Sequence, residues 1–123
     1  MSVRRLGTLQ WLGLLLGGLV WWGQHVFGVV FADTACKPGD ALGIDNSLWQ
    51  GTMMGIAAAL VLLAEAAAVS VVLQTRERSY EDSPPIGRVR FFAIAAVVAN
   101  LLFLAIILLD GTANLANVAC RQG

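Results

Sequence analysis

Three long apolar stretches dominate this sequence, at residues 6–31, 51–73 and 89–109. Each has roughly the 20 apolar residues that a helix rising about 1.5 Å per residue needs to cross about 30 Å of hydrocarbon. None contains proline, and backbone in lipid must satisfy its own hydrogen bonds, so each stretch is predicted to be a helix. The predicted fold is all-α: one integral membrane domain, residues 1–123, with three transmembrane helices.

Composition agrees with this class. The chain is 58% hydrophobic and 13% charged, well outside the usual range of soluble domains. Its eight basic and eight acidic residues give no net charge, so there is no basic face for nucleic acid and none is expected as a partner. The first stretch is longer than the 7–15-residue core of a signal peptide and lacks a small-x-small cleavage site, so we interpret it as a retained span.

The distribution of basic residues predicts the orientation. Lys37 and Arg121 are the basic residues on one side of the spans, against six on the other. The positive-inside rule then predicts an N-terminus in the cytoplasm and a C-terminus outside. Trp11 and Trp49 suit the inner and outer interfaces, respectively. The six residues of the inner side are Arg4, Arg5, Arg76, Arg78, Arg88 and Arg90.

The segments between the spans are predicted to be loops. Residues 32–50 are rich in turn-forming residues, and the tail after Asp110 is polar. Residues 74–88 contain Pro84 and Pro85, which lack a backbone N–H and favour extended geometry before them, so a stiff hairpin is expected there.

Cys36 and Cys120 both fall on the outer side of the predicted topology. An oxidising compartment forms and keeps disulfides, so we expect one bond between them. It would close a loop of more than 80 residues and contribute about 4 kcal/mol in the chain-entropy model. The alternative is two unpaired thiols, one or both buried as small hydrophobic side chains. No metal site is predicted.

Glu65 is the charged residue that lies inside a span. Counted from the inner helix ends, Glu65 lies about 13 Å deep and Asn100 about 15 Å deep, so they share a level. A carboxylate at this depth costs about 2.5–3.5 kcal/mol, which predicts a protonated or partnered side chain. We favour a neutral carboxyl hydrogen-bonded to Asn100. The alternatives are a proton relay or cation site, or a polar group on a partner subunit.

His25 is the single histidine and lies about 9 Å below the outer end of the first span. Together with Met53 or Met54 it offers the one route to haem or copper ligation in this chain. Three short helices enclose little room for haem, and methionine commonly fills apolar gaps. We therefore interpret His25 as a hydrogen-bonded packing residue, and no cofactor is predicted.

Small residues recur four positions apart in the first two spans, and the second pattern continues into an alanine-rich stretch at residues 64–68. Small residues let helix backbones approach closely, which drives association where lipid removes the hydrophobic effect. These patterns predict helix packing faces, more of them than three helices need for one another. The residues are Gly13 and Gly17 in the first span, and Gly51, Gly55 and Ala59 in the second.

Catalytic patterns are absent from the sequence. It has no glycine-rich phosphate loop beside a lysine, no His-x-x-x-His pair and no nucleophile near His25. An inverted-repeat transporter needs more spans or a broken helix. Enzymatic activity is therefore not expected.

The layout resembles small bacterial three-helix membrane proteins found with haem-copper oxidases, of the cytochrome c oxidase type, and related respiratory complexes. The resemblance implies a non-catalytic accessory subunit that contacts lipid, lacks cofactors and keeps the cysteine pair; Glu65 is not a feature of that group. We therefore expect a subunit of a larger respiratory membrane complex, with a small proton- or ion-conducting protein centred on Glu65 as the alternative. The resemblance is carried by residues 22–27 (WGQHVF), Cys36, residues 88–92 (RVRFF), residues 100–103 (NLLF) and Cys120.

The disulfide gives the first testable prediction. An experimental structure of the oxidised protein should place the two sulfur atoms of Cys36 and Cys120 about 2.05 Å apart. A separation of more than about 7 Å between their Cα atoms would exclude the bond.

Overall fold

The computed structural model describes residues 2–35, 46–79 and 81–115, and these form three α-helices. Helix α1 comprises Val3–Ala35, α2 comprises Asn46–Gln74 and α3 comprises Ile86–Leu115. Each helix is long and apolar enough to cross a membrane. Every helix packs against the other two, with α1 and α3 parallel and α2 running in the opposite direction. The described part of the chain is therefore an up-down-up bundle.

The helices extend beyond the apolar stretches that predict them. They contain 33, 29 and 30 residues, so each rises more than 40 Å, against about 30 Å of hydrocarbon. In the extensions, hydroxyl side chains bond back to the helix backbone: Thr34 donates to the Val30 carbonyl at 3.1 Å and Thr112 to that of Leu109 at 2.9 Å. Residues 32–35, 46–50, 74, 86–88 and 111–115, predicted as loop or tail, are helical.

Between α2 and α3, residues 75–79 and 81–85 form turns and bends, as the two prolines predict. Helix α3 begins directly after Pro85, whose carbonyl accepts a hydrogen bond from the Val89 amide at 3.1 Å. Proline suits a helix start because its missing N–H would have no partner there.

The two ends of the bundle differ in charge. One end, here the arginine end, combines the start of α1, the end of α2 and the start of α3. The Arg90 guanidinium donates to the Thr75 carbonyl, so α3 provides a hydrogen bond to the backbone that follows α2. The far end combines the end of α1, the start of α2 and the end of α3. The arginine end carries Arg4, Arg5, Arg76, Arg78, Arg88 and Arg90.

Two apolar clusters form the interior. The first lies towards the far end and is built from Ala57, Val61 and Ile107. The second lies towards the arginine end and is built from Val71, Val89 and Ala93. Between the two clusters the helices meet through small residues: a Cβ atom on Gly13 would lie 3.0 Å from the Ala68 Cβ, 3.1 Å from the Ala68 nitrogen and 3.2 Å from the Ala64 carbonyl oxygen.

Gly13 provides a test of this close approach. A Gly13→Ala substitution presses its Cβ on α2 backbone, and such overpacking costs about 1–3 kcal/mol. The matched control is Gly23→Ala, because nothing lies within 4 Å of a Cβ built on Gly23. Alanine should there stabilise the helix by about 0.5–1 kcal/mol.

The measurement is SDS titration of the detergent-solubilised protein, followed by tryptophan fluorescence. Gly13→Ala should unfold at lower SDS than wild type, and Gly23→Ala at equal or higher SDS. Identical midpoints for the two variants would show that α1 and α2 do not depend on contact at Gly13.

Candidate functional site

Polar side chains occupy two separate layers inside the bundle. The middle layer consists of Glu65 and Asn100, beside Gly13. The far layer consists of Gln24, Gln50 and Asn114, one from each helix. The far layer and a nearby surface contact between His25 and Asp110 are polar features that hydropathy alone did not reveal.

The middle layer connects all three helices. Asn100 of α3 is 1% exposed, and its Nδ2 atom donates a hydrogen bond of 2.9 Å to the Gly13 carbonyl of α1. The half-buried Glu65 carboxyl of α2 interacts with the same Asn100 side chain. Glu65 Oε2 and Asn100 Oδ1 are buried and have no hydrogen-bond partner among the described residues. The structure therefore brings Glu65 and Asn100 to one level, as their counted depths predict.

Gly17 makes room for this layer. A Cβ atom on Gly17 would collide with Asn100 Oδ1 and would lie 3.3 Å from the Phe103 ring. Glycine at this position lets the Asn100 side chain insert between α1 and α2 and reach the Gly13 carbonyl. The G-x-x-x-G pair of α1 thus contacts α2 through Gly13 and α3 through Gly17.

The far layer is centred on Gly28. Gln50 is 1% exposed and donates from Nε2 to the Gly28 carbonyl at 3.0 Å. A Cβ atom on Gly28 would lie 3.2 Å from Asn114 Nδ2 and 3.5 Å from Gln50 Oε1. The missing side chain therefore lets amides from α2 and α3 approach the α1 backbone. The signal in the sequence is the four-residue spacing of Gln24 and Gly28, with a polar residue near the corresponding end of each other helix.

Gln24 adds a polar group without a partner to this layer. It is 3% exposed, and neither its Nε2 nor its Oε1 atom has a hydrogen-bond partner within the described residues. Buried amides are normally satisfied, because each unpaired group costs about 1–3 kcal/mol. A water molecule is the ordinary way to satisfy such a group in a polar layer near a helix end.

His25 forms a hydrogen bond with Asp110 on the bundle surface. Its Nδ1 atom lies 3.1 Å from Asp110 Oδ2, and the side chains are 49% and 22% exposed, respectively. The imidazole also stacks on Trp21, with ring centroids 6.1 Å apart. This contact joins α1 to α3 at the far end. Its carboxylate partner was not anticipated, because Asp110 lies just beyond the predicted end of the third span at residue 109.

Met54, one of the two methionines considered as metal ligands, packs inside the bundle. It contacts the apolar cluster of Ala57, Val61 and Ile107, and its side chain covers Gly111, where a Cβ would collide with it. The described residues contain no group of three or more His, Cys, Asp or Glu side chains placed to hold a metal ion.

The small residues of α2 separate into two sets. Ala64, Ala67 and Ala68 are buried in the bundle, whereas Gly55 and Ala59 are exposed. No atom lies within 4 Å of a Cβ built on Gly55, and Gly51 has only Leu115 Cδ2 at 4.0 Å. We call Gly51, Gly55 and Ala59 the outer ridge. It is a small-residue face that the described helices do not fill.

The predicted disulfide residues, Cys36 and Cys120, lie outside the described residues. Helix α1 ends at Ala35 and α3 ends at Leu115, both at the far end of the bundle. The disulfide between the segments that follow stays a prediction.

Comparison with protein-family models, with curated proteins and with solved structures finds no match to this chain.

Glu65 gives a test of the middle layer. Glu65→Gln should change stability little, since an amide still hydrogen-bonds to Asn100. Glu65→Leu should lower the SDS midpoint, because it removes an interhelical polar contact worth about 0.6–2 kcal/mol. Equal midpoints for the two variants would show that the carboxyl contributes no polar contact to packing.

Proposed function

We propose that this chain is a non-catalytic accessory subunit of a larger membrane complex, which it contacts through the outer ridge of α2. The resemblance noted in the sequence makes a bacterial respiratory complex of the cytochrome c oxidase type the proposed host. The chain would stabilise the host or occupy a groove between its helices.

The observation that carries this proposal is that some small residues are covered by a neighbouring helix and others are not. Gly13, Gly17 and Gly111 are each covered by a side chain or backbone of a neighbouring helix. Gly55 and Ala59 are not covered. Small residues are enriched where membrane helices pack closely, because they let the two helix backbones approach each other. A second helix laid along the outer ridge would approach the α2 backbone as closely as α1 approaches it at Gly13.

The large side chains beside the outer ridge fit the same role. Ile56 is 53% exposed and Leu63 is 61% exposed; seven residues apart on the helix, they lie on one side of the outer ridge and form an apolar wall next to Gly55 and Ala59. A partner helix seated there would gain dispersion contacts along this wall. The proposed interface is therefore a shallow apolar face with a glycine-containing floor.

The proposed orientation places the arginine end in the cytoplasm of a bacterium. Six arginines lie at this end, against Lys37 and Arg121 beyond the opposite helix ends, and short basic segments are retained on the cytoplasmic side. The far layer and the two cysteines then lie at the periplasmic side of the inner membrane. That compartment is the one in which a Cys36–Cys120 disulfide forms and persists.

A proton- or ion-conducting function centred on Glu65 is the competing proposal. It is supported by the buried Oε2 atom of Glu65, which has no hydrogen-bond partner within the described helices. Against it, the cluster of Ala57, Val61 and Ile107 lies between Glu65 and the far layer. Conduction along the bundle would need to pass this apolar cluster, which favours the structural role for Glu65.

The test compares two identical substitutions on different faces. Ala59→Leu fills the outer ridge, while Ala105→Leu changes an alanine on α3 that is also exposed. In mild-detergent membranes separated on a native gel, wild type and Ala105→Leu should migrate with a much larger complex. Ala59→Leu should shift most of the chain to the free form, with topology and SDS midpoint unchanged.

Gly17→Leu serves as the internal reference, because it collides with Asn100 and Phe103 inside the bundle. It should lower the SDS midpoint, which Ala59→Leu should not. Migration of the wild-type chain as a free monomer would overturn the accessory role. If the purified chain also conducts protons in vesicles, and Glu65→Gln abolishes this flux, conduction takes its place.

A further inference from the structure

The arginine end contains a cleft between α1 and α3, separate from the outer ridge and from both polar layers. Its volume is about 280 Å³. That is at the small end of ligand-binding pockets, which typically measure about 300–1,000 Å³. The residues that line it and matter here are Gly7, Gln10, Trp11, Pro85, Arg88 and Phe92.

The polar groups of this cleft are hydrogen-bond donors. Gln10 is 4% exposed, and its Nε2 atom is buried without an acceptor among the described residues. The exposed Arg88 lines the same cleft, and within the described ranges no carboxylate forms an ion pair with it. A buried amide donor and an unpaired arginine in one cleft favour an acceptor that carries negative charge.

The remaining walls are apolar. Trp11 and Phe92 stack with ring centroids 6.1 Å apart, and Trp11 is 52% exposed on the bundle surface. Both rings lie at the membrane-facing side of the arginines, within the segments that hydropathy assigns to the spans. The cleft therefore presents donors towards the helix ends and an aromatic wall towards the hydrocarbon.

From this arrangement we propose that the cleft binds the phosphodiester of an anionic phospholipid. Arg88 makes the charge-assisted contact, since a planar guanidinium matches two phosphate oxygens. Gln10 Nε2 donates to a phosphate oxygen or to the glycerol ester, and an acyl chain lies against Trp11 and Phe92. Basic pockets between transmembrane helices, at the level of interfacial tryptophans, are suited to anionic headgroups.

A phospholipid fits the cleft better than a free phosphate. Inorganic phosphate would use only Arg88 and Gln10 and would leave the Trp11 and Phe92 wall uncovered. The small volume also suits a headgroup whose acyl chains remain outside on the bundle surface. Arg4 and Arg5 at the start of α1 add positive charge at the same end of the bundle. The site does not depend on the proposed host complex.

The experiment measures binding of dioleoyl phosphatidylglycerol to the detergent-purified full chain by native mass spectrometry. Arg88→Gln should weaken binding about tenfold, the effect of losing one charge-assisted hydrogen bond. Gln10→Leu should weaken it several-fold while keeping the side-chain volume. The matched control is Arg78→Gln, which removes the same charge from an exposed arginine at the same end and should change binding less than twofold.

Two competitors identify the ligand. Dioleoyl phosphatidylcholine, which has the phosphodiester without net charge, should bind wild type about as weakly as phosphatidylglycerol binds Arg88→Gln. Glycerol 3-phosphate should not displace phosphatidylglycerol at equal concentration. Equal weakening by Arg88→Gln and Arg78→Gln would show diffuse surface attraction and overturn the site, and displacement by glycerol 3-phosphate would assign it to a soluble phosphate.

Discussion

The close approach of α1 to its neighbours at Gly13 and Gly17 is the contact on which the rest of the bundle depends. In lipid, exclusion of apolar surface from water does not hold helices together, so packing and interhelical hydrogen bonds must do so. The absence of side chains at Gly13 and Gly17 permits both. Ala64 and Ala68 come into contact with the α1 backbone, and Asn100 reaches the Gly13 carbonyl.

Polar groups take part in this packing at defined levels. Asn100 and Glu65 hold the middle, while Gln50 and Asn114 approach Gly28 at the far end. Apolar clusters fill the intervals between these levels. A buried amide fixes the rotation and the register of the helix that carries it, because a shift of one residue would leave its donors without acceptors. Leucine or alanine at the same level would hold a helix less specifically.

Much of the fold could be predicted from the length and position of the apolar stretches. The three spans follow from about 20 apolar residues each, and the shared depth of Glu65 and Asn100 follows from the rise per residue. The rotation of each helix could not be predicted. The spans are apolar on all sides, so periodicity does not show that Gly13 faces inwards and Gly55 outwards. Only the positions of the neighbouring helices show which of these two glycines is covered.

The far layer was not predicted for a different reason. Hydropathy locates the end of the apolar stretch, and the polar residues beyond it were assigned to loops. The helices continue there to Ala35 and Leu115 and begin at Asn46, which places Gln50, Asp110 and Asn114 on helical faces. A polar residue on a helical face is aimed at a defined neighbour, whereas the same residue in a loop is not. Which residues form this layer therefore depends on where the helices begin and end, and composition specifies these positions least well.

The position of Asn100 has a consequence for biosynthesis. A chain is made from its N-terminus, so α1 and α2 leave the ribosome before α3, and the Asn100 contact with Gly13 spans 87 residues of sequence. Until α3 is inserted, the Glu65 carboxyl has no asparagine beside it. The α1–α2 hairpin is thus an incomplete intermediate with an uncovered acid at mid-depth. Arrival of the last helix completes the bundle, and a chain truncated before residue 100 would keep that acid at mid-depth without its asparagine.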